Sequence, residues 1–173
     1  MPSASHVLGL AHITDADGRL LMLKEADGSW RLPGGPALPE ESARNAMAYH
    51  VRRDLRLRVE PRFLLGMEPG PDADSTAYLF ACESLAPDDI ARIELPGGTT
   101  GTAVAALAFV DYPGITERVS AHEHRLIAKA AAALLRRDPS CPLLPDVSRR
   151  QSTPLSAERG MFPKPGKADP AGG

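Results

Sequence analysis

His50, Arg53 and Asp54 are the side chains whose types and spacing point most directly to chemistry. On a helix, at 100° per residue, they span an arc of about 100° on one face. His50 and Asp54 stand one turn apart, a spacing that suits two ligands of one metal ion. A histidine–carboxylate pair favours a borderline metal such as Zn²⁺ or Mn²⁺ over Mg²⁺. The same spacing suits a hydrogen bond or ion pair between the two, the more ordinary use of such positions. Arg53 would repel a metal held there: at 4 Å and an effective dielectric near 20, two unit charges interact by roughly 4 kcal/mol, and a dication doubles that. As a guanidinium, Arg53 is instead suited to bind phosphate directly.

The residues 31–57, RLPGGPALPEESARNAMAYHVRRDLRL, must position this face. Trp30, Arg31 and Leu32 close a strand. Pro33, Gly34 and Gly35 make a turn, where glycine takes backbone angles closed to other residues. A carbonyl of that turn, at Gly35, together with Asp54 would hold a Mg²⁺ only weakly, with most of its waters retained. Pro39, Glu40 and Glu41 predict a helix start near Glu40, since proline needs no N–H there and carboxylates favour the positive end of the dipole. Ala43, Met47, Val51 and Leu55 recur every four residues, the apolar stripe of a helix lying on a core. Trp30, beside the turn, reads as core or as a stacking surface for a base. Tyr49 reads as packing or stacking.

The rest of the chain supplies a sheet and a second helix. His6–Thr14 and Arg19–Lys24, joined by a turn at Asp15–Gly18, predict a hairpin. Further strands are expected at Arg58–Glu68, interrupted at Pro61, at Ser75–Cys82 and at Ala103–Tyr112. Leu85–Thr102 reads as loop with one helical turn. Ser120–Arg137 predicts the second helix, with Leu126, Ala130, Ala133 and Leu134 on its buried face. His122 and His124 flank Glu123 at its start, which resembles a metal cluster but reads better as solvated polar residues. Seven of the seventeen prolines fall between Pro139 and Pro170, so residues 138–173 read as a disordered tail after a domain spanning 1–137.

Residues 31–57 resemble the Nudix box, the loop–helix signature GX5EX7REUXEEXGU in which U is a bulky aliphatic residue. Gly35 falls on the first glycine, Glu41 on the first glutamate, and Val51 and Leu57 on the two U positions, without a gap. The chemical core of the signature is replaced. Tyr49 stands for its arginine, His50 for a glutamate, Arg53 and Asp54 for the glutamate pair, and Arg56 for the last glycine. The formal charge of the 50/53/54 face thereby goes from −3 in the family to 0. The family's acidic residue before the late strand also has no counterpart between Glu94 and Asp111.

The resemblance implies an α+β fold, a Nudix-like α/β/α sandwich with a mixed sheet, over roughly residues 5–137. It also implies a divalent metal, Mg²⁺ or Mn²⁺, weak or altered here, that holds a diphosphate while water attacks phosphorus. The site residues carried over are Glu41, His50 and Asp54 for chemistry, Asp54, His50 and Gly35 for metal, and Arg53, Gly34, Gly35 and Trp30 for the ligand. The expected function is action on a nucleoside-diphosphate-linked or similar phosphoanhydride, with metal-dependent hydrolysis altered or weakened. The alternative is a non-hydrolytic Nudix-fold protein that binds a nucleotide or metabolite, or one turned to other chemistry.

Composition bounds the partners. The net charge of −2 gives no basic footprint for nucleic acid or an anionic membrane. There is no long apolar run and no basic region before the first apolar residues. With only Cys82 and Cys141, a cytoplasmic setting is the expectation, and the resemblance to the Nudix family implies a small phosphorylated ligand as partner.

Overall fold

The computed structural model describes residues 6–95, 104–115 and 117–136. The expected tail, 138–173, lies outside them. In chain order the elements are β1 (His6–His12), β2 (Leu20–Glu25), β3 (Trp30–Arg31), β4 (Gly34–Pro36), α1 (Ala43–Leu55), β5 (Phe63–Pro69), β6 (Ser75–Ala81), α2 (Pro87–Ala91), β7 (Val104–Val110), α3 (Tyr112–Ile115) and α4 (Ala121–Leu135). One sheet runs β4-β1-β6-β5 and a second runs β3-β2-β7. The first is mixed, because β1 and β6 pair in parallel while β1–β4 and β5–β6 are antiparallel.

Alternation along the strands builds two cores, one on each face. Leu10, Leu20, Met22, Leu65, Ala77 and Leu79 turn toward α4 and meet Leu126, Ile127, Ala130 and Ala133. Ala11, Leu21, Leu23, Leu64 and Phe80 turn the other way and meet Ala43, Met47, Val51 and Leu55 of α1. The period of two in each strand therefore sorts neighbouring residues onto opposite helices. Each large aliphatic side chain so buried contributes about 1.5–3 kcal/mol. Gly9 lets α1 lie directly on β1: a Cβ there would sit 1.8 Å from the Ala43 carbonyl oxygen.

Several expectations need correction. The hairpin forms only at its tip, where Thr14 bridges Leu20 and the Asp15 N–H donates to the Arg19 carbonyl at 3.1 Å. Beyond the tip the two strands join different sheets. Leu20, Leu21, Met22 and Leu23 are all buried, so β2 is satisfied as an interior strand with both edges paired rather than as half of an isolated ribbon. Helix α1 starts at Ala43, not near Glu40. Ser42 is its N-cap and accepts the Asn45 N–H, while Glu40 has φ +66° and belongs to the turn before it. β5 starts only after Pro61. Leu134 is 41% exposed, because it is turned about 100° away from buried Ala133. The short α3 was not anticipated.

Candidate active-site cleft

Between β3 and β4 the chain crosses from one sheet to the other in two residues, Leu32 and Pro33. Gly34 makes the crossing possible. Its φ is +131°, and a Cβ on it would lie 2.1 Å from the Gly9 carbonyl oxygen, so both angle and space call for glycine. Gly35 lies flat against His50, with the place of a Cβ 2.8 Å from three ring atoms. The glycine turn thus rests on the face of α1 that carries His50, Arg53 and Asp54. A cleft of about 410 Å³ opens here, walled by Arg31, Gly34, Gly35, Pro36, His50 and Arg53, with Glu25 from β2 and His122 and Glu123 from α4.

Asp54 lies fully buried beneath this cleft. Its Oδ2 accepts from Arg31 Nη2 at 3.0 Å and its Oδ1 from Arg53 Nε at 2.6 Å. Arg31 does more than pair with it. Its Nε donates to Glu25 Oε1 at 2.7 Å, and its Nη1 donates to the Leu32 and Gly34 carbonyls, each at 3.1 Å. A buried carboxylate needs such pairing, since an uncompensated charge there costs several kcal/mol.

His50 is buried too. Its Nε2 lies 2.8 Å from the Pro36 carbonyl, and a carbonyl only accepts, so Nε2 carries the proton. Its Nδ1 has no partner among the described residues. The ring meets Tyr49 edge-on with centroids 5.3 Å apart, and Tyr49 is itself largely exposed.

The far wall comes from the start of α4. Glu123 is buried, which corrects the expectation of a solvated cluster. Its Oε1 accepts the Leu32 N–H at 2.9 Å, and its Oε2 accepts the Ser120 hydroxyl at 3.1 Å. The Ser120 hydroxyl also lies 2.9 Å from His122 Nδ1. A carboxylate in the first turn of a helix is favoured by the dipole, and here it also supplies the Leu32 N–H with an acceptor.

The structure brings together Gly34, Gly35, His50 and Arg53, with Asp54 beneath them. His50 and Asp54 are each bonded elsewhere rather than to one another. Glu41 does not line the cleft: its carboxylate accepts the Leu38 N–H at 2.8 Å, in the turn before α1. Trp30 does not line it either. Its ring packs on the α4-side core, with Lys24 and Arg118 over it at 5.9 and 5.4 Å from the centroid. Sequence reasoning missed Arg31, Glu25 and the role of Glu123. The available signal was charge: an aspartate beside an apolar stripe needs a cation within reach, and Arg31 flanks the glycine turn.

The donor set does not fit a hard divalent ion of the kind the resemblance implies. Such an ion seeks several free oxygen ligands, and both oxygens of Asp54 already serve guanidinium groups. Among the described residues no group of three His, Cys, Asp or Glu side chains is placed to hold a metal. Nor is any helix among them long and apolar enough to cross a membrane.

No family model matches the chain. Over 68 residues it is 35% identical to a MutT-like protein from Streptomyces ambofaciens, a match covering 39% of this chain and 44% of that one, less than half the relative's length. In architecture it is similar to a MutT protein from Methanosarcina mazei (TM-score 0.64, 18% identity, 78% of this chain and 98% of that one). It is also similar to a mutT/nudix family protein from Listeria innocua (TM-score 0.58, 16% identity, 78% and 97%). An ADP-ribose pyrophosphatase from Streptococcus suis gives TM-score 0.55 at 19% identity, over 76% and 92%. The α/β/α layers and the mixed sheet thus match the architecture of these solved structures, and this chain has the Nudix fold.

Proposed function

We propose that this protein binds a nucleoside-diphosphate-linked compound, or a related phosphoanhydride, in the cleft over α1, with metal-dependent hydrolysis weakened or lost. One observation carries this reading: Asp54, the only carboxylate left on the 50/53/54 face, has both oxygens engaged by arginines. An attacking hydroxide is repelled by a diphosphate unless cations neutralise the charge, and a carboxylate so engaged is a poor partner for a metal ion. The ligand class is supported by the Nudix fold and by the similarity to an ADP-ribose pyrophosphatase.

Arg53 is the group that would hold the phosphate. Its Nε is spent on Asp54, which orients the guanidinium. Its two Nη groups have no partner among the described residues, and the side chain is 40% exposed at the cleft wall. A planar fork of N–H donors matches phosphate oxygens. The same occupied carboxylate favours binding without turnover over hydrolysis.

The test is a panel of nucleoside diphosphate compounds, ADP-ribose included, screened for turnover with Mg²⁺, Mn²⁺ and Zn²⁺ and for thermal stabilisation without metal. Saturable stabilisation with little turnover is expected. Arg53→Ala should weaken binding roughly 10- to 100-fold, the scale of a charge-assisted hydrogen bond. Absence of binding across the panel, or binding indifferent to Arg53→Ala, refutes the reading.

A further inference from the structure

Arg31 is surrounded by oxygen. Its guanidinium meets two carboxylates, Glu25 and Asp54, and two carbonyls, Leu32 and Gly34, at 2.7–3.1 Å. The Gly34 carbonyl belongs to the glycine turn and Asp54 to the α1 face, the two places from which a cation in this cleft would draw ligands. Four of the five N–H donors of Arg31 are spent in this way, and the side chain is 23% exposed. An arginine that only pinned β3 to α1 would need Asp54 alone. This one also fixes the carbonyls on either side of Pro33, and so the shape of the turn.

We infer that Arg31 is the resident cation of the cleft, taking the electrostatic place of a divalent ion. Charge explains how. Two carboxylates facing one another across a cleft are balanced by a cation between them. A guanidinium carries its charge at any ordinary pH and is only weakly hydrated, so it serves in a partly buried place without a bound ion. Arg53, paired to the other oxygen of Asp54, then faces a ligand with Nη groups that have no partner among the described residues. For its purpose the inference rests on the ligand-binding reading above. The oxygen cage itself does not.

The experiment is chemical rescue. In Arg31→Ala, Glu25, Asp54 and the two carbonyls face a hole of guanidinium shape. The variant should melt roughly 6–20 °C below wild type. Guanidinium chloride, at concentrations too low to denature, should raise its melting temperature relative to an equal concentration of NaCl and leave wild type unmoved. Mn²⁺ should stabilise the variant more than wild type, because Glu25 and Asp54 have each lost the Arg31 cation and Asp54 keeps only Arg53. If Arg31→Ala does not fold, Arg31→Lys keeps the charge without the fork, and it should fold and stay indifferent to Mn²⁺. A Mn²⁺ titration of wild type, followed by water-proton relaxation, decides in either case. Saturable Mn²⁺ binding that is lost in Asp54→Asn overturns the inference, as does a folded Arg31→Ala that neither guanidinium nor Mn²⁺ rescues. None of these solutions contains a phosphate compound, so the result is independent of whether the ligand panel binds.

Discussion

Replacing Asp54 by asparagine removes one charge and almost no volume from the centre of the network. At 3.0 Å from Arg31 and 2.6 Å from Arg53, and an effective dielectric of 20, the two attractions amount to roughly 5 and 6 kcal/mol. The second is discounted because Arg53 is 40% exposed and screened by solvent. Burying the carboxylate offsets several kcal/mol of the remainder. What decides the cost is therefore not the attraction but the cation left behind. Arg31, 23% exposed, would face an amide whose oxygen serves one donor and whose NH₂ repels another. Breaking such a pair from one side costs about 3–5 kcal/mol. For a chain of 173 residues that is a fall of roughly 6–20 °C in melting temperature. Urea unfolding of Asp54→Asn measures it directly. Adding Arg31→Met should recover part of the loss, because the stranded cation goes too. A cost below about 1 kcal/mol, the value of an exposed pair, would refute the account of Asp54 as a buried hub.

Two further outcomes follow from other parts of the fold. His12 is buried against Tyr112, which it meets through a hydrogen bond, and burial holds its pKa down from 6.5 to about 4. Between those values the unfolded chain binds the extra proton, so stability should be complete above pH 6.5 and fall by about 3 kcal/mol toward pH 4. His12→Asn should flatten that window in urea titrations. Glu68 acts lower: the Lys129 hydrogen bond keeps its carboxyl below 4.5, so its contribution is lost only as pH falls through that lowered value. An unchanged slope in His12→Asn would count against the burial argument. Gly9→Ala would drive a Cβ into the Ala43 carbonyl oxygen. A loss of about 3 kcal/mol or more is expected, and near-neutral urea unfolding would mean that α1 does not lie on β1 as described.

Most of the scaffold was legible because it rests on periodicity. The stripe Ala43, Met47, Val51 and Leu55 is buried throughout, and the register from Gly35 to Leu57 places the turn on α1. The parts that were not legible depend on partners distant in sequence. Nothing local says that the strands on either side of Asp15–Gly18 join different sheets, since a hairpin and a sheet crossing share one turn chemistry. The helix start moved because the acidic pair at 40–41 competes with Ser42, and the serine's hydroxyl satisfies an orphan N–H directly. Asp54 read as a free ligand because its guanidinium partner Arg31 lies twenty-three positions away. Glu123 read as solvated because its acceptor role faces Leu32, ninety-one positions away.

The Glu123–Leu32 hydrogen bond makes the glycine turn a listener to the last helix. The Leu32 amide is protected from exchange by a carboxylate on α4, not by a neighbouring strand. Any opening that lifts the start of α4 bares this amide to solvent even while both sheets stay intact. Its exchange rate therefore measures the docking free energy of α4 at the lip of the cleft. A ligand that braces His122 and Glu123 would slow that exchange without touching Leu32.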